Sequence, residues 1–151
     1  MTIRDVQGED LPQIMAIEAL CFSVPWTQEM LRAHLSGGHV FLAAEENGDI
    51  LGYVGLQYVL DEGYITNVAT SPARRREGIA GMLLSALKQR AGELGLAFLT
   101  LEVREGNAPA RRLYEKHGFS DVGRRKGYYE RPREDAILMT YLFPECGFQN
   151  C

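Results

Sequence analysis

Arg74-Arg-Arg-Glu-Gly-Ile-Ala-Gly81 decides how this 151-residue chain is read, because it joins a strand-like run to a long amphipathic helix. Upstream, Tyr64 to Ala69 has strand texture; after Ser71-Pro72 the period turns helical, with Ala80, Leu83, Leu84, Leu87, Ala91 and Leu94 on one stripe and Gly95 as the stop. The joining segment therefore puts small residues and unpaired backbone N–H groups at a helix N-terminus, which is an anion site. Gly78, Ala80 and Gly81 carry no side chain that would block a close phosphate, and three arginines add attraction. The pattern is neither GxGxxG nor a Walker A loop: the second glycine falls three positions after the first, and no Gly-Lys-Ser/Thr follows. NAD and ATP are thereby disfavoured. An Arg-rich helix start with packing glycines is the plain alternative.

The flanking elements fit one core. Asp10-Leu-Pro-Gln13 reads as an N-cap, an early Pro and a Gln placed to reach back, opening a helix with Leu11, Ile14, Met15 and Ile17 on its apolar face. Pro25-Trp-Thr27 opens a second, capped by Thr27, with Trp26 and Leu31 at hydrophobic-staple spacing and Gly37-Gly38 at its end. Val40 to Ala44, Ile50 to Leu60 and Tyr64 to Ala69 read as strands, the first two joined by the hairpin signal Asn47-Gly48. Ala97 to Val103 is a further strand, Asn107-Ala-Pro-Ala110 caps and opens a helix stopping at Gly118, and Phe119 to Gly123 and Ala136 to Leu142 close the set. With a first strand at the N-terminus, this is a mixed α/β (α+β) domain over residues 1–143: a mostly antiparallel seven-stranded sheet with about four helices, and a tail at 144–151.

Composition narrows the function classes. Sixteen Lys+Arg against twenty Asp+Glu give a net charge of −4, which argues against a module held on nucleic acid by bulk positive charge. The charge is unevenly spread: residues 1–73 hold two bases and ten acids, and residues 74–151 hold fourteen bases and ten acids. A protein handling one anionic and one cationic ligand fits that split. Three cysteines, Cys21, Cys146 and Cys151, cannot all pair in one chain and have no metal-ligand spacing, so free thiols and no metal are expected. Met1-Thr-Ile-Arg-Asp5 lacks a signal-peptide core and no run is long enough to span a membrane, so the cytoplasm is the expected compartment, with no membrane partner.

Arg75-Arg-Glu-Gly78-Ile-Ala80 resembles the Arg/Gln-x-x-Gly-x-Gly/Ala signature of the GNAT superfamily of N-acetyltransferases. Asn67-Val-Ala-Thr70, Leu101-Glu-Val-Arg104, Asn107-Ala-Pro-Ala-Arg-Arg-Leu-Tyr114 and Gly118-Phe119 are similar to its RimI-type branch, the ribosomal-protein-alanine N-acetyltransferases. So are Pro25-Trp-Thr27, Leu60-Asp-Glu62, Arg125-Lys-Gly-Tyr-Tyr129 and Glu134-Asp-Ala136, and the likeness runs to about Leu142. It implies a sheet whose central strands splay apart, acetyl-CoA as co-substrate, and an N-terminal alanine on a basic segment of a small-subunit ribosomal protein as acceptor. The loop residues Arg75, Arg76, Glu77, Gly78, Ile79, Ala80 and Gly81 would hold the pyrophosphate. Val68, Ala69 and Thr70 would pair with the pantetheine arm through their backbone and polarise the thioester carbonyl; Asn107 would contact the cofactor.

Two side chains then acquire roles. Glu102 shares a strand face with Thr100 and Arg104, opposite apolar Leu99, Leu101 and Val103; by pattern alone it is a solvated strand residue, whereas the resemblance makes it the proton acceptor. A carboxylate is a weak base toward an ammonium, so either desolvation or a relaying water is expected to help it. Tyr114 by pattern alone is a core aromatic beside Leu113; the resemblance makes it the proton donor to the leaving thiolate. Asp61 and Glu62 would attract a basic peptide and Tyr128 and Tyr129 would line its groove, against the alternative of a solvated acidic turn and a strand-end aromatic pair. Direct transfer in a ternary complex is favoured over a covalent route through Cys21, since His34, His39 and His117 lack a spacing that pairs with it. Another N-terminus, a lysine or a small amine as acceptor, a non-catalytic acyl-CoA sensor, and an RNA-contacting module remain alternatives.

Overall fold

The sheet is built around a parting of two neighbours, β4 (Glu62–Thr70) and β5 (Phe98–Arg104), in this computed structural model, which describes residues 1–144. They pair in parallel only over Glu62–Phe98, Gly63–Leu99 and Tyr64–Thr100, after which no ladder joins them. The expected splay is therefore present. Gly63 eases the junction: a Cβ there would lie 2.7 Å from Leu99 Cδ2 and 3.1 Å from the Phe98 carbonyl oxygen, so a larger residue would push its neighbours aside.

Before β4 come β1 (Thr2–Asp5), α1 (Leu11–Cys21), α2 (Gln28–Ala33), β2 (His39–Glu46) and β3 (Asp49–Val59). After it, α3 (Ile79–Glu93) leads to β5, and α4 (Ala108–Lys116), β6 (Ser120–Glu130) and β7 (Arg133–Leu142) follow. The seven strands lie in the order β1-β2-β3-β4-β5-β7-β6, antiparallel at every junction except β4–β5. Asn47 and Gly48 both take positive φ (53° and 86°) between Glu46 and Asp49, the conformation that a two-residue hairpin demands.

The central strands are apolar on both faces because both are covered. Phe41, Ala43 and Tyr53 pack with Leu11, Ile14, Ile17 and Leu31 from α1 and α2. Their neighbours Leu42, Ala44 and Val54 pack with Leu83, Leu84 and Leu87 of α3 and with Tyr114 of α4. Strand β5 alternates as its sequence requires, burying Leu99, Leu101 and Val103 and turning Thr100, Glu102 and Arg104 the other way.

Several local expectations need correction. Asp10 does not cap α1; its carboxylate accepts two hydrogen bonds from the Arg4 guanidinium and one from the Gln7 amide. Gln13 reaches not back to the cap but across to the hairpin, accepting from Ile50 N at 2.8 Å and donating to the Gly48 carbonyl. Helix α2 ends at Ala33, short of Gly37. On α3 it is Ile79 that is buried, while Leu94 is 41% exposed. The last hairpin is longer than its apolar runs, because β6 and β7 continue pairing to Glu130 and Arg133 through polar residues. The tail cysteines Cys146 and Cys151 lie outside the described residues.

Candidate active site

Where β4 and β5 part, two cavities open that share one wall. The first, of about 590 Å³, is lined by Tyr64 to Val68 of β4, Leu101 to Arg104 of β5, Phe22 to Val24 and Trp26 between α1 and α2, and Tyr128 to Arg131 of the last hairpin. The second, of about 640 Å³, is lined by Val68, Ala69, Thr70, Arg74 to Arg76, Gly78 to Gly81 and α4. Cys21, Phe22, Val68, Asn107, Ala110 and Tyr114 belong to both.

The second cavity has the chemistry of an anion cradle. Arg76 and Gly78 take φ of 67° and 78°, bending the chain so that α3 begins with its first-turn amides free of any side-chain cap. An added Cβ at Gly78 would meet nothing within 4 Å, so open space lies over that turn. Arg74 is spent internally, paired with Glu77 at 2.8 Å and Glu46 at 3.3 Å, whereas neither Arg75 nor Arg76 forms an ion pair with a described residue. Glu77 therefore fixes the loop from outside the cavity lining rather than facing a ligand. Asn107 caps α4, its Oδ1 accepting from Ala110 N at 3.3 Å. These residues fit a pyrophosphate-bearing co-substrate.

Of the two side chains expected to transfer protons, Tyr114 lies in the shared wall and Glu102 lines the first cavity alone. The Glu102 side chain is only 6% exposed, with the exposed Arg125 guanidinium at 3.7 Å and the hydroxyls of Tyr64 and Tyr128 turned toward its carboxylate. Burial pushes both phenols above the ordinary tyrosine range, and Tyr129 is pushed up to about 12 by burial and the Glu102 charge, so all three remain O–H groups at neutral pH. Tyr114 is 8% exposed, packs against Phe119 at 5.8 Å between ring centroids, and has its hydroxyl bonded to no described residue. Burial raises its pKa as well.

Of the residues singled out from sequence, Val68, Glu102, Asn107, Tyr114, Tyr128 and Tyr129 line the first cavity together. Asp61 and Glu62 do not: they sit at the closed end of the β4–β5 junction, exposed, and line neither cavity. Residues not anticipated are Tyr64, Phe22, Ser23, Arg131 and Glu18. Ser23 donates to the Arg131 carbonyl at 2.5 Å, latching the α1–α2 connection to the last hairpin across the cavity. Glu18 is 1% exposed, and its sequence signal was available: Ile14, Ile17 and Glu18 share the buried face of α1.

The seven-stranded sheet parts between its fourth and fifth members and sets an anion cradle at the following helix, an arrangement suited to a phosphate-bearing ligand. Residues 11–119 match the model of the Acetyltransferase (GNAT) family, and the chain belongs to that family. It is an acetyl-CoA-dependent N-acetyltransferase. It is 34% identical to the ribosomal protein bS18-alanine N-acetyltransferase of Escherichia coli K12, over 92% of this chain and 95% of that protein. It is 37% identical to the enzyme of the same name from Haemophilus influenzae, over 91% of this chain and 96% of that one. The crystal structure of the Escherichia coli ribosomal-protein-S18-alanine N-acetyltransferase superposes with a TM-score of 0.90 at 33% identity, covering 97% of this chain and 96% of that chain.

Proposed function

We propose that this protein acetylates the N-terminal alanine of ribosomal protein bS18 in the cytoplasm, by direct transfer within a ternary complex. The observation that carries the mechanism is the pair of cavities with one shared wall, which allows an acyl donor and an amine to meet without a covalent relay. The relatives' names supply the acceptor. Acetyl-CoA, when bound, supplies an acetyl group already activated as a thioester. Arg75, Arg76 and the first-turn amides of α3 hold its anionic end, and Asn107 and the free edge of β4 at Val68, Ala69 and Thr70 hold and polarise the rest.

The α-amine attacks in its neutral form, about a tenth of the population at pH 7 for a pKa near 8, and Glu102 takes, directly or through one water, the N–H proton released as the nitrogen bonds to the carbonyl carbon. Tyr114 gives its hydroxyl proton to the sulfur as the carbon–sulfur bond breaks, which requires a phenol that stays protonated; burial ensures that. Cys21 does not serve as nucleophile in this reading: its Sγ lies 3.4 Å from the Thr70 carbonyl, to which it donates, and it has no hydrogen bond to a histidine. Tyr128 and Tyr129 line the acceptor path. A basic peptide is drawn by the net negative first half of the chain at long range, since Asp61 and Glu62 stand away from the cavity.

Intact-mass measurement of ribosomal proteins incubated with enzyme and acetyl-CoA tests the proposal. One acetyl group on bS18, placed on its N-terminal alanine by fragmentation, is the expected outcome. Turnover confined to lysine side chains or to spermidine would replace it.

A further inference from the structure

Glu18 is the largest piece of buried chemistry that the mechanism above does not use. Its Oε1 accepts from the Tyr53 hydroxyl at 2.5 Å and from Asn67 Nδ2, and its Oε2 accepts from the Trp26 backbone amide at 2.9 Å. The three donors come from three different elements. Tyr53 is in the centre of β3, Trp26 is in the α1–α2 connection that walls the acceptor cavity, and Asn67 is in β4 immediately before Val68. The pairing of β4 with β3 also slips here, from Gly55–Asn67 to Leu56–Ile65, leaving Thr66 as an extra residue. A bulge re-aims the strand that carries it, and this one lies just where β4 has left β5.

We propose that Glu18 is a positioning residue: through Asn67 it fixes the direction in which the bulged strand presents the Val68 backbone, and through Trp26 it sets the acceptor wall to the same coordinate. The inference rests on the reading that the β4 edge polarises the thioester carbonyl. A carboxylate suits the task because it is acceptor-only at both oxygens, and all three groups pointing at it are donors. Glutamine in its place keeps one acceptor oxygen for Tyr53 and Asn67 but turns an NH2 toward the Trp26 N–H, setting donor against donor. Asn67→Ala makes the complementary cut, freeing β4 while leaving Glu18 with Tyr53 and Trp26.

The contact at issue involves the acetyl carbonyl, which CoA lacks, so it is readable without an acceptor. Calorimetric titration of the full-length protein with acetyl-CoA and with CoA, on the parent, Glu18→Gln, Asn67→Ala and the double variant, gives the ratio of the two affinities. That ratio should fall toward one in both single variants while CoA affinity holds within twofold. In turnover with an Ala-starting bS18 peptide, kcat should fall at least tenfold, since a displacement of about 1 Å at a reacting centre costs on the order of a hundredfold. The double variant should lose no more than the worse single one, because both cuts act on one coupling. An unchanged affinity ratio and kcat per folded molecule, with only the melting temperature lowered, would overturn the proposal, as would losses that multiply in the double variant. If the parent fails on the bS18 peptide, the acceptor assignment falls, while the affinity ratio still judges Glu18.

Discussion

Tyr114→Phe separates chemistry from architecture. The hydroxyl has no hydrogen-bond partner among the described residues, so its removal breaks no protein bond, and the ring keeps its place against Phe119. Stability should stay within about 0.5 kcal/mol of the parent, the range of substitutions that touch no bond or packing contact. CoA affinity should also hold. The rate should not: a positioned general acid is worth about 10²–10⁴-fold, or roughly 2.7–5.5 kcal/mol of barrier. Thermal melts, CoA calorimetry and CoA release followed with a thiol reagent measure the three quantities. Because burial lifts the Tyr114 pKa above its ordinary value near 10, the parent's rate should show no tyrosine-like decline up to pH 10. A kcat within threefold of the parent would refute the assignment. A large loss matched by an equal loss of CoA affinity would refute it too, making Tyr114 a wall of the cavity and nothing more.

Glu102→Gln should lower kcat by about 10²–10³-fold with acetyl-CoA affinity unchanged, measured by the same pair of assays. Gly78→Ala should cost about 1 kcal/mol in a denaturant melt, since the φ of 78° lies in the left-handed region that favours glycine, and should raise the KM for acetyl-CoA because the new methyl projects into open space above the cradle. Ser23→Ala cuts the latch to Arg131 and should raise the KM for the peptide while leaving that for acetyl-CoA unchanged. Stability should be flat between about pH 6.5 and 10 and fall on both sides, read as urea midpoints. His34 is 7% exposed and burial depresses its pKa; its Nδ1 donates to the Met30 carbonyl at 3.0 Å, so Nε2 accepts from the Thr66 hydroxyl at 2.8 Å. Below about pH 6.5 the unfolded chain therefore binds a proton that the fold refuses, and stability is lost as pH falls. Buried Tyr53 and Tyr114 have raised pKa values, so above pH 10 the unfolded chain sheds protons that the fold keeps, and stability is lost as pH rises.

What the sequence made legible was whatever depends on local periodicity. The hairpin at Asn47-Gly48, the alternation of β5 and the glycine start of α3 each follow from one stretch read alone. Glu102 and Tyr114 are candidates only through resemblance, because an acid on a strand face and an aromatic on a helix look ordinary; the sheet order brings both to one cavity. Partners distant in sequence were not legible at all. Gln13 turning to Ile50, Glu18 to Asn67 and Ser23 to Arg131 are decided by how α1 and the last hairpin dock, which no local pattern encodes. The extension of β6 and β7 through polar residues was missed for the same reason: edge-strand pairing needs a backbone partner, not an apolar run.

The uneven charge of the chain also changes meaning once the pairs are known. Four acids of the first half are paired in place: Glu46 takes Arg74, Asp5 takes Arg90, and Asp10 and Glu45 share Arg4. On the other side Arg104, Arg111 and Arg124 are held by Glu134, Asp121, and Glu105 with Asp135. Each pairing removes a cation that would otherwise compete for phosphate, leaving Arg75 and Arg76 at the cradle without an acid among the described residues. On the proposed function, selection of an anionic donor is local and short-range, whereas attraction of a cationic acceptor is a property of the remaining field. Salt should separate the two. Raising ionic strength from low to physiological, where the screening length is about 8 Å, should raise the KM for a basic peptide more than that for acetyl-CoA, whose proposed contacts lie at the first turn of α3. Equal weakening of both would mean that the cradle, too, acts at long range.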